Sequence, residues 1–381
     1  MTNPAPRMSA VVVILLCGSA LQAQTPAEAI ALERQGKLPE AVEAWRAVTR
    51  RDPNDAAAFA SLGVTLSKEQ KYSEAALAYR KALALNPKLP GIELNLGLAE
   101  FKQGHFSAAV PSLRAALAAD PSSTQARTLL GLSYYGAKKF ALAAQYLQPV
   151  ADSDPDNMAL HQTLAQSCLA AKQYSCALAE FHRIVERDPD SVAAHVLTGE
   201  ALDGLSRTAE AIAEFETAVK ISPREPNLHF GLGYLYWKSH RYSEAKQEFD
   251  KELALDPNHA QSLAYLGDIA WKDNNSDEAL TFLQQALKAD NQLRIAYVDM
   301  GAIYMRRKKY ENAKTALLRA VALDPTRPDA HYQLGRLYQA LGNKAEADRE
   351  LAKVHELHEK ADASLQGKMP STPPPLNPSN Q

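Results

Sequence analysis

Residues 56–89 read AAAFASLGVTLSKEQKYSEAALAYRKALALNPKL, and this stretch decides the fold. Its apolar and small residues are Phe59, Leu62, Gly63 and Leu66, then Tyr72, Ala75, Tyr79, Ala82 and Leu85, spaced three and four apart. That spacing predicts two amphipathic helices. Gln70 and Lys71 between them predict a short turn and an antiparallel pair. Pro87 biases Asn86 away from helical dihedrals, so the pair closes one helix before the next opens.

The same beat runs along the chain. Pro53, Pro87, Pro121, Pro155, Pro189, Pro223 and Pro257 recur every 34 residues; Asn291 takes the next slot and Pro325 resumes. Asp52, Asn86, Asp120, Asp154, Asp188, Ser222, Asp256 and Asp324 precede them, residue types that favour turns and caps. The inter-helix turn recurs as Gln103-Gly104 and Leu341-Gly342, where glycine suits a left-handed helix end. Ser73, Ser107, Ser175 and Ser243 are expected to cap the second helices, and the preceding Tyr72, Phe106, Tyr174 and Tyr242 to act as hydrophobic staples. Ser206-Arg207-Thr208 and Asn274-Asn275-Ser276 replace that pattern and predict looser hairpins. Gly63, Gly97, Gly131, Gly199, Gly233, Gly267, Gly301 and Gly335 also recur at 34 and are expected to face Ala75, Ala109, Ala143, Ala211, Ala245, Ala279, Ala313 and Ala347. A helical glycine costs about 1 kcal/mol relative to alanine, so close backbone approach must return more than that. Pro149, and more mildly Pro111, should kink their helices.

The constellation of a bulky residue, Leu-Gly, an aromatic, Ala, another aromatic or Leu, Ala and Pro resembles the tetratricopeptide repeat. The resemblance spans Gln22 to Ala361 in about ten registers, the last with Glu359 in place of proline. It implies an all-α fold, an α-α superhelix of about ten helical hairpins, over residues 24–361. It further implies a concave face lined by the first helix of each repeat, with repeat positions two, five, nine, twelve and thirteen looking into it. Those positions bring Leu94, Leu98, Phe101, Leu132 and Tyr135 in the first half, and Phe230, Tyr234, Trp237, Trp271, Met305 and Tyr332 in the second. Large aromatics on an open face mark recognition surfaces, whereas the same residues could instead seal one repeat against the next. The expected partner is a protein or peptide, with the oligomeric state left open.

Lys68, Lys102, Lys238, Lys272 and Arg306 share position thirteen. A basic line there would suit an acidic peptide or a terminal carboxylate, while the commoner role of such charges is to solvate a face. The lysine-asparagine pattern of the family's carboxylate clamp is replaced by Leu94, Leu98 and Leu129. Lys+Arg 42 against Asp+Glu 44, net charge -2, leaves no basic surplus for nucleic acid.

The ends read differently. Arg7, the apolar run Val11 to Leu16 and the small-residue exit Ala20 to Ala23 predict a signal peptide over residues 1–23, hence a periplasmic or secreted protein. The run falls short of the roughly 20 residues that span a bilayer, so no transmembrane segment is expected. Leu16 before Cys17 speaks against lipidation. Residues 362–381, with Pro370, Pro373, Pro374, Pro375 and Pro378, predict a disordered tail.

Chemistry has few footholds. Gly131 to Lys138 has the wrong lysine spacing for a phosphate loop, and Gly231-Leu232-Gly233 follows no strand. No serine elbow or cysteine-rich metal run is present, so no catalytic residue, metal or cofactor is expected. His161, His195 and His229 stand 34 apart and His331 shares their slot. Equivalent residues of stacked helices lie about 10 Å apart, too far to share one zinc, so packing is the expected role. His355 and His358 read as surface residues. Cys168 and Cys176 flank one hairpin turn at a separation that could bridge. The expected function is a non-enzymatic scaffold or adaptor of the cell envelope. The alternative is a structural subunit of an envelope polysaccharide-export or outer-membrane assembly complex.

Overall fold

The computed structural model describes residues 25–366, with side chains to residue 360. The predicted leader lies outside the described residues, as does the tail beyond residue 366. Among the described residues the secondary structure is entirely helical, twenty α-helices joined as ten hairpins. They are α1 (Pro26–Arg34) with α2 (Leu38–Arg51), α3 (Ala56–Lys68) with α4 (Tyr72–Leu85), α5 (Ile92–Lys102) with α6 (Phe106–Ala119), α7 (Thr124–Gly136) with α8 (Phe140–Ser153), and α9 (Met158–Ala170) with α10 (Tyr174–Arg187). The rest are α11 (Val192–Gly204) with α12 (Thr208–Ile221), α13 (Leu228–Lys238) with α14 (Tyr242–Leu255), α15 (Ala260–Lys272) with α16 (Ser276–Ala289), α17 (Arg294–Arg306) with α18 (Tyr310–Leu323), and α19 (Pro328–Ala340) with α20 (Lys344–Gln366). The chain divides into two compact units, residues 1–176 and 177–381. No described helix is long and apolar enough to cross a membrane.

One turn closes every hairpin. Gly36, Gln70, Gly104, Lys138, Lys172, Ser206, His240, Asn274, Lys308 and Gly342 all have φ between 55° and 77°, the left-handed region. The next residue's N–H reaches back five residues to a carbonyl, as in Lys71 N to Leu66 O at 2.9 Å and Asn275 N to Ala270 O at 2.8 Å. The hairpins expected to be looser are therefore closed like the rest. Ser206 and Asn274 take the same φ, 61° and 60°, and Arg207 N bonds Leu202 O at 2.9 Å. The backbone pair, not an aromatic staple, sets the turn.

The serine caps need correction. The second helices begin at the aromatic, so Lys71, His105 and Arg241 occupy the N-cap without a side-chain bond, and Ser73, Ser107 and Ser243 fall inside the first turn. Side-chain caps are instead found mainly on the first helices: Asp55, Ser123 and Asn157 each accept a backbone N–H there. Asn275 does so at the start of α16. Between hairpins, the residue before proline forms an Asx turn. Asp52, Asp120 and Asp256 each accept the backbone N–H two residues on at 3.0 Å.

The helical glycines are sockets for large side chains rather than partners of small ones. A Cβ on Gly63 would stand 2.5 Å from the Tyr79 ring, on Gly97 2.5 Å from Leu113, and on Gly233 2.7 Å from Phe249. The expected alanines lie nearby through their backbone, with Ala245 O 3.3 Å from that Gly233 position. Each filler, Tyr79, Leu113 and Phe249, is fully buried. Helices α6 and α8 keep a 14-residue span through Pro111 and Pro149. With Glu359 on the proline beat nothing stops α20, which runs 23 residues to Gln366, past the expected end at 361.

Candidate functional site: the face of the first helices

In the second unit α11, α13, α15, α17 and α19 present successive first helices. Position twelve of a repeat reaches position nine of the next: Trp237 Nε1 donates to Asp268 Oδ2 at 2.6 Å. The first unit repeats the device, with Tyr135 Oη donating to Gln166 Oε1 at 2.7 Å. Trp237 also stands edge-on to Tyr265, centroids 4.8 Å apart, and stacks with Tyr234 at 6.0 Å. Phe230 completes the group, 6.0 Å from both Phe249 and Tyr265. Burial first, then nearby Tyr234, Asp268 and Asp299, push the Tyr265 hydroxyl up to about 12.

Trp237 and Tyr135 thus tie one repeat to the next while part of each side chain stays exposed. Leu94, Leu98, Phe101, Leu132, Tyr135, Phe230, Tyr234, Trp237, Trp271 and Met305 are all half-buried, while Tyr332 is 48% exposed. Leu94, Phe101 and Tyr135 lean on the buried Leu113, Leu130 and Tyr134. Trp271 leans on the α15–α16 core and carries the Arg306 guanidinium 3.6 Å over its ring.

A cleft of about 800 Å³ opens between α11 and α13. Val192, Val196 and Leu197 form one wall, Phe230 and Tyr234 the other, and Phe215 the floor. Glu200 and Glu225 stand at its rim, and burial raises the Glu200 carboxyl above its usual range. In the first unit a cleft of about 550 Å³ is lined by Pro90, Leu94, Ala115 and Ser123.

Three cations of the position-thirteen line, Lys68, Lys238 and Lys272, are paired with carboxylates. Lys68 Nζ bonds Glu33 Oε2 at 2.6 Å, and Lys238 Nζ bonds Asp203 Oδ1 at 2.6 Å, each reaching the preceding repeat. Lys272 grips both oxygens of Asp268 at 2.5 Å, and Arg306 donates to Asn274 Oδ1 and Ser276 Oγ. Burial of Glu33 opposes its charge, but hydrogen bonds from Lys68, Thr65 and Trp45 outweigh it and hold the carboxyl below its ordinary value.

The histidines serve packing through a clasp. His195 Nδ1 is 2.6 Å from Glu214 Oε2 and its Nε2 2.9 Å from Pro189 O; His229 matches with Glu248 at 2.6 Å and Pro223 O at 3.0 Å. His331 repeats it with Glu350 at 2.5 Å and Pro325 O at 3.2 Å. Burial works against the charge on His195, but the bonds to Glu214 and Pro189 prevail and raise its pKa. Cys168 and Cys176 are joined by a disulfide across the α9–α10 turn, Cα atoms 5.8 Å apart.

Sequence reasoning missed Tyr265 and Asp299, which share position six. Every other occupant of that slot, Ser61, Asn95, Leu129, Thr163, Leu197, Gly231 and Gln333, is uncharged, so the aspartate was the available signal.

Profiles described as Tetratricopeptide repeat match residues 27–90, 94–157 and 230–293, as well as 134–199 and 329–361. A profile described as TPR repeat matches 205–239 and 301–342. No curated protein matches the chain. Among solved structures, the APC/C hetero-tetramer Cut9–Hcn1 is similar at 14% identity and TM-score 0.52, covering 90% of this chain and 82% of that one. Yeast Tom70 is similar at 14% identity and TM-score 0.44, covering 91% and 96%. YrrB, described as a TPR protein with an unusual peptide-binding site, is similar at 21% identity and TM-score 0.37, covering 49% and 97%. Repeat period, hairpin geometry and profile matches agree, and the chain belongs to the tetratricopeptide repeat family as a solenoid of about ten helical hairpins.

Proposed function

We propose that the chain is a non-enzymatic scaffold of an exported compartment, periplasmic or secreted, that holds a segment of a partner protein against the face of its first helices. The observation carrying this reading is the apolar cleft between α11 and α13, walled by Phe230 and Tyr234. Half-buried aromatics fixed by their neighbours offer contact area at little entropic cost, the usual character of interface anchors. The Cys168–Cys176 disulfide supports an oxidising compartment.

The test is photocrosslinking in living cells from position 197, at the cleft wall, followed by identification of the captured protein. Its binding is then measured for Phe230→Ala, Trp237→Ala and Phe101→Ala. Loss in Phe230→Ala and Trp237→Ala supports the reading; retention by all three removes the groove from the account. A second reading, a structural subunit of an envelope polysaccharide-export or outer-membrane assembly complex, draws on leucines exposed on second helices, Leu77 at 63% and Leu318 at 44%. Co-purification that survives the groove substitutions and fails in Leu77→Glu would favour it.

A further inference from the structure

Between α13, α15 and α17 lies a second, smaller cavity of about 70 Å³, lined by Trp237, Ala264, Tyr265, Asp268, Ile295 and Asp299. It holds about two waters' worth of volume. Its walls are two aromatic rings and two aliphatic side chains, and Ile295 is 37% exposed. Its polar content is two carboxylates in opposite circumstances.

Asp268 is saturated: Lys272 Nζ and Trp237 Nε1 supply three short bonds. Asp299 is packed round by protein atoms, keeps partial solvent contact, and lines the cavity without a hydrogen bond or ion pair among the described residues. Four charged groups act on it: Asp268 and Lys272 from α15, Asp329 from α19, and Arg294 on its own helix. Lys272 is committed to Asp268, and Arg294 is committed to Asp329 through bonds of 2.6 and 2.8 Å. Three carboxylates thus share two cations, and the odd one faces the cavity.

We infer that this cavity is a subsite for the ammonium end of a lysine side chain of the bound partner, the ammonium on Asp299 and the methylene stem leaving past the exposed Ile295 beside Trp237 and Tyr265. The inference rests on the groove reading above and names part of what the groove recognises. A divalent metal is the poorer fit, since such ions call for six or more oxygens and the cavity offers one carboxylate free to bind. A ring face and a carboxylate together favour an organic cation. Empty, the site holds its proton: burial, then Asp268, push the Asp299 carboxyl up to about 8. A lysine ammonium keeps its charge to about pH 10, so capture displaces that proton and tightens as pH rises from 6 to 9.

The probe is n-butylammonium chloride, titrated into the full chain while the Trp237 indole N–H resonance is followed by NMR, with n-butanol and equal sodium chloride as controls. The expected result is a saturable shift with the ammonium, absent with butanol, stronger at pH 9 than at pH 6, and weakened about tenfold in Asp299→Asn. An equal response to butanol, no response of the indole, or an unchanged titration in Asp299→Asn overturns the inference. The crosslinked partner separates the two readings. A partner lost by Phe230→Ala but kept at full affinity by Asp299→Asn sinks the lysine subsite alone; one kept by both sinks the groove as well.

Discussion

Replacing Gly233 measures how tightly a hairpin is keyed. A Cβ at this position would stand 2.7 and 2.8 Å from Cε1 and Cδ1 of Phe249 and 3.3 Å from the Ala245 carbonyl. The Phe249 ring has no room to retreat: it is 0% exposed, stacked on Tyr265 at 5.6 Å and in contact with Phe230. Overpacking of this kind costs about 1–3 kcal/mol, while the gain from removing a helical glycine returns about 1 kcal/mol. Gly233→Ala should therefore destabilise by about 1 kcal/mol net, and Gly233→Leu by about 3 kcal/mol, since its larger side chain meets the same ring. In a Phe249→Ala background, which alone costs about 3–5 kcal/mol, the added leucine fills the vacated volume and should recover about 2 kcal/mol of coupling. Urea unfolding followed by circular dichroism gives the four midpoints, and Trp237 fluorescence reports the local event. An unchanged or raised midpoint for Gly233→Leu, or strict additivity with Phe249→Ala, would refute the socket.

Lys308 is exposed and held at φ 55°, so Lys308→Gly should raise stability by about 1 kcal/mol in a thermal melt. A thiol count on denatured, unreduced protein should find Cys168 and Cys176 unreactive, and Cys168→Ala should lower stability by about 2–3 kcal/mol from lost loop constraint. His195 has a raised folded pKa, so its stabilisation is complete below about pH 6.5 and is lost as pH climbs through the folded value. Midpoints measured from pH 6 to 9 should fall more steeply in the wild type than in Glu214→Gln. Asp299, raised to about 8, binds a proton in the folded state that the unfolded chain releases near pH 4, so stability declines between those values. Asp299→Asn should match the wild type at pH 4 and exceed it at pH 9 by urea midpoint.

The helices were legible because each is fixed by residues within one period: Pro53 and its successors place the stops, and Leu62 and Gly63 place the buried stripe. Of the ten left-handed turns, the sequence reading identified those at Gly104 and Gly342. At Lys138 or Lys308 the backbone bonds impose the conformation whatever the side chain. Ser73 was misread as a cap because the helix starts at Tyr72, two residues sooner than such a cap implies, with Lys71 at the cap position. The basic line looked free because Glu33 and Asp203, which neutralise Lys68 and Lys238, lie 35 residues away across a repeat boundary. The three clasps carry a mark that the sequence reading passed over: histidine at 195, 229 and 331 coincides each time with glutamate nineteen residues on, at 214, 248 and 350. Groove aromatics could be named but not judged, because whether Trp237 seals or recognises depends on Asp268 and Tyr265 of the following repeat.

The Asx turns between hairpins carry one more implication. Because Asp256 and Asp290 bridge their junctions with the same backbone bond, at 3.0 and 2.8 Å, deleting residues 260–293 would splice His259 onto Arg294 with both caps in register. Lengthening or shortening by whole periods keeps every stop in register, whereas any other increment puts the wrong side chain at a stop; the side-chain ties between repeats, such as Trp237 to Asp268, are then made anew. The molecule can thus be resized like a ladder, rung by rung, and the length of its first-helix face is a quantised property of the gene rather than a continuous one.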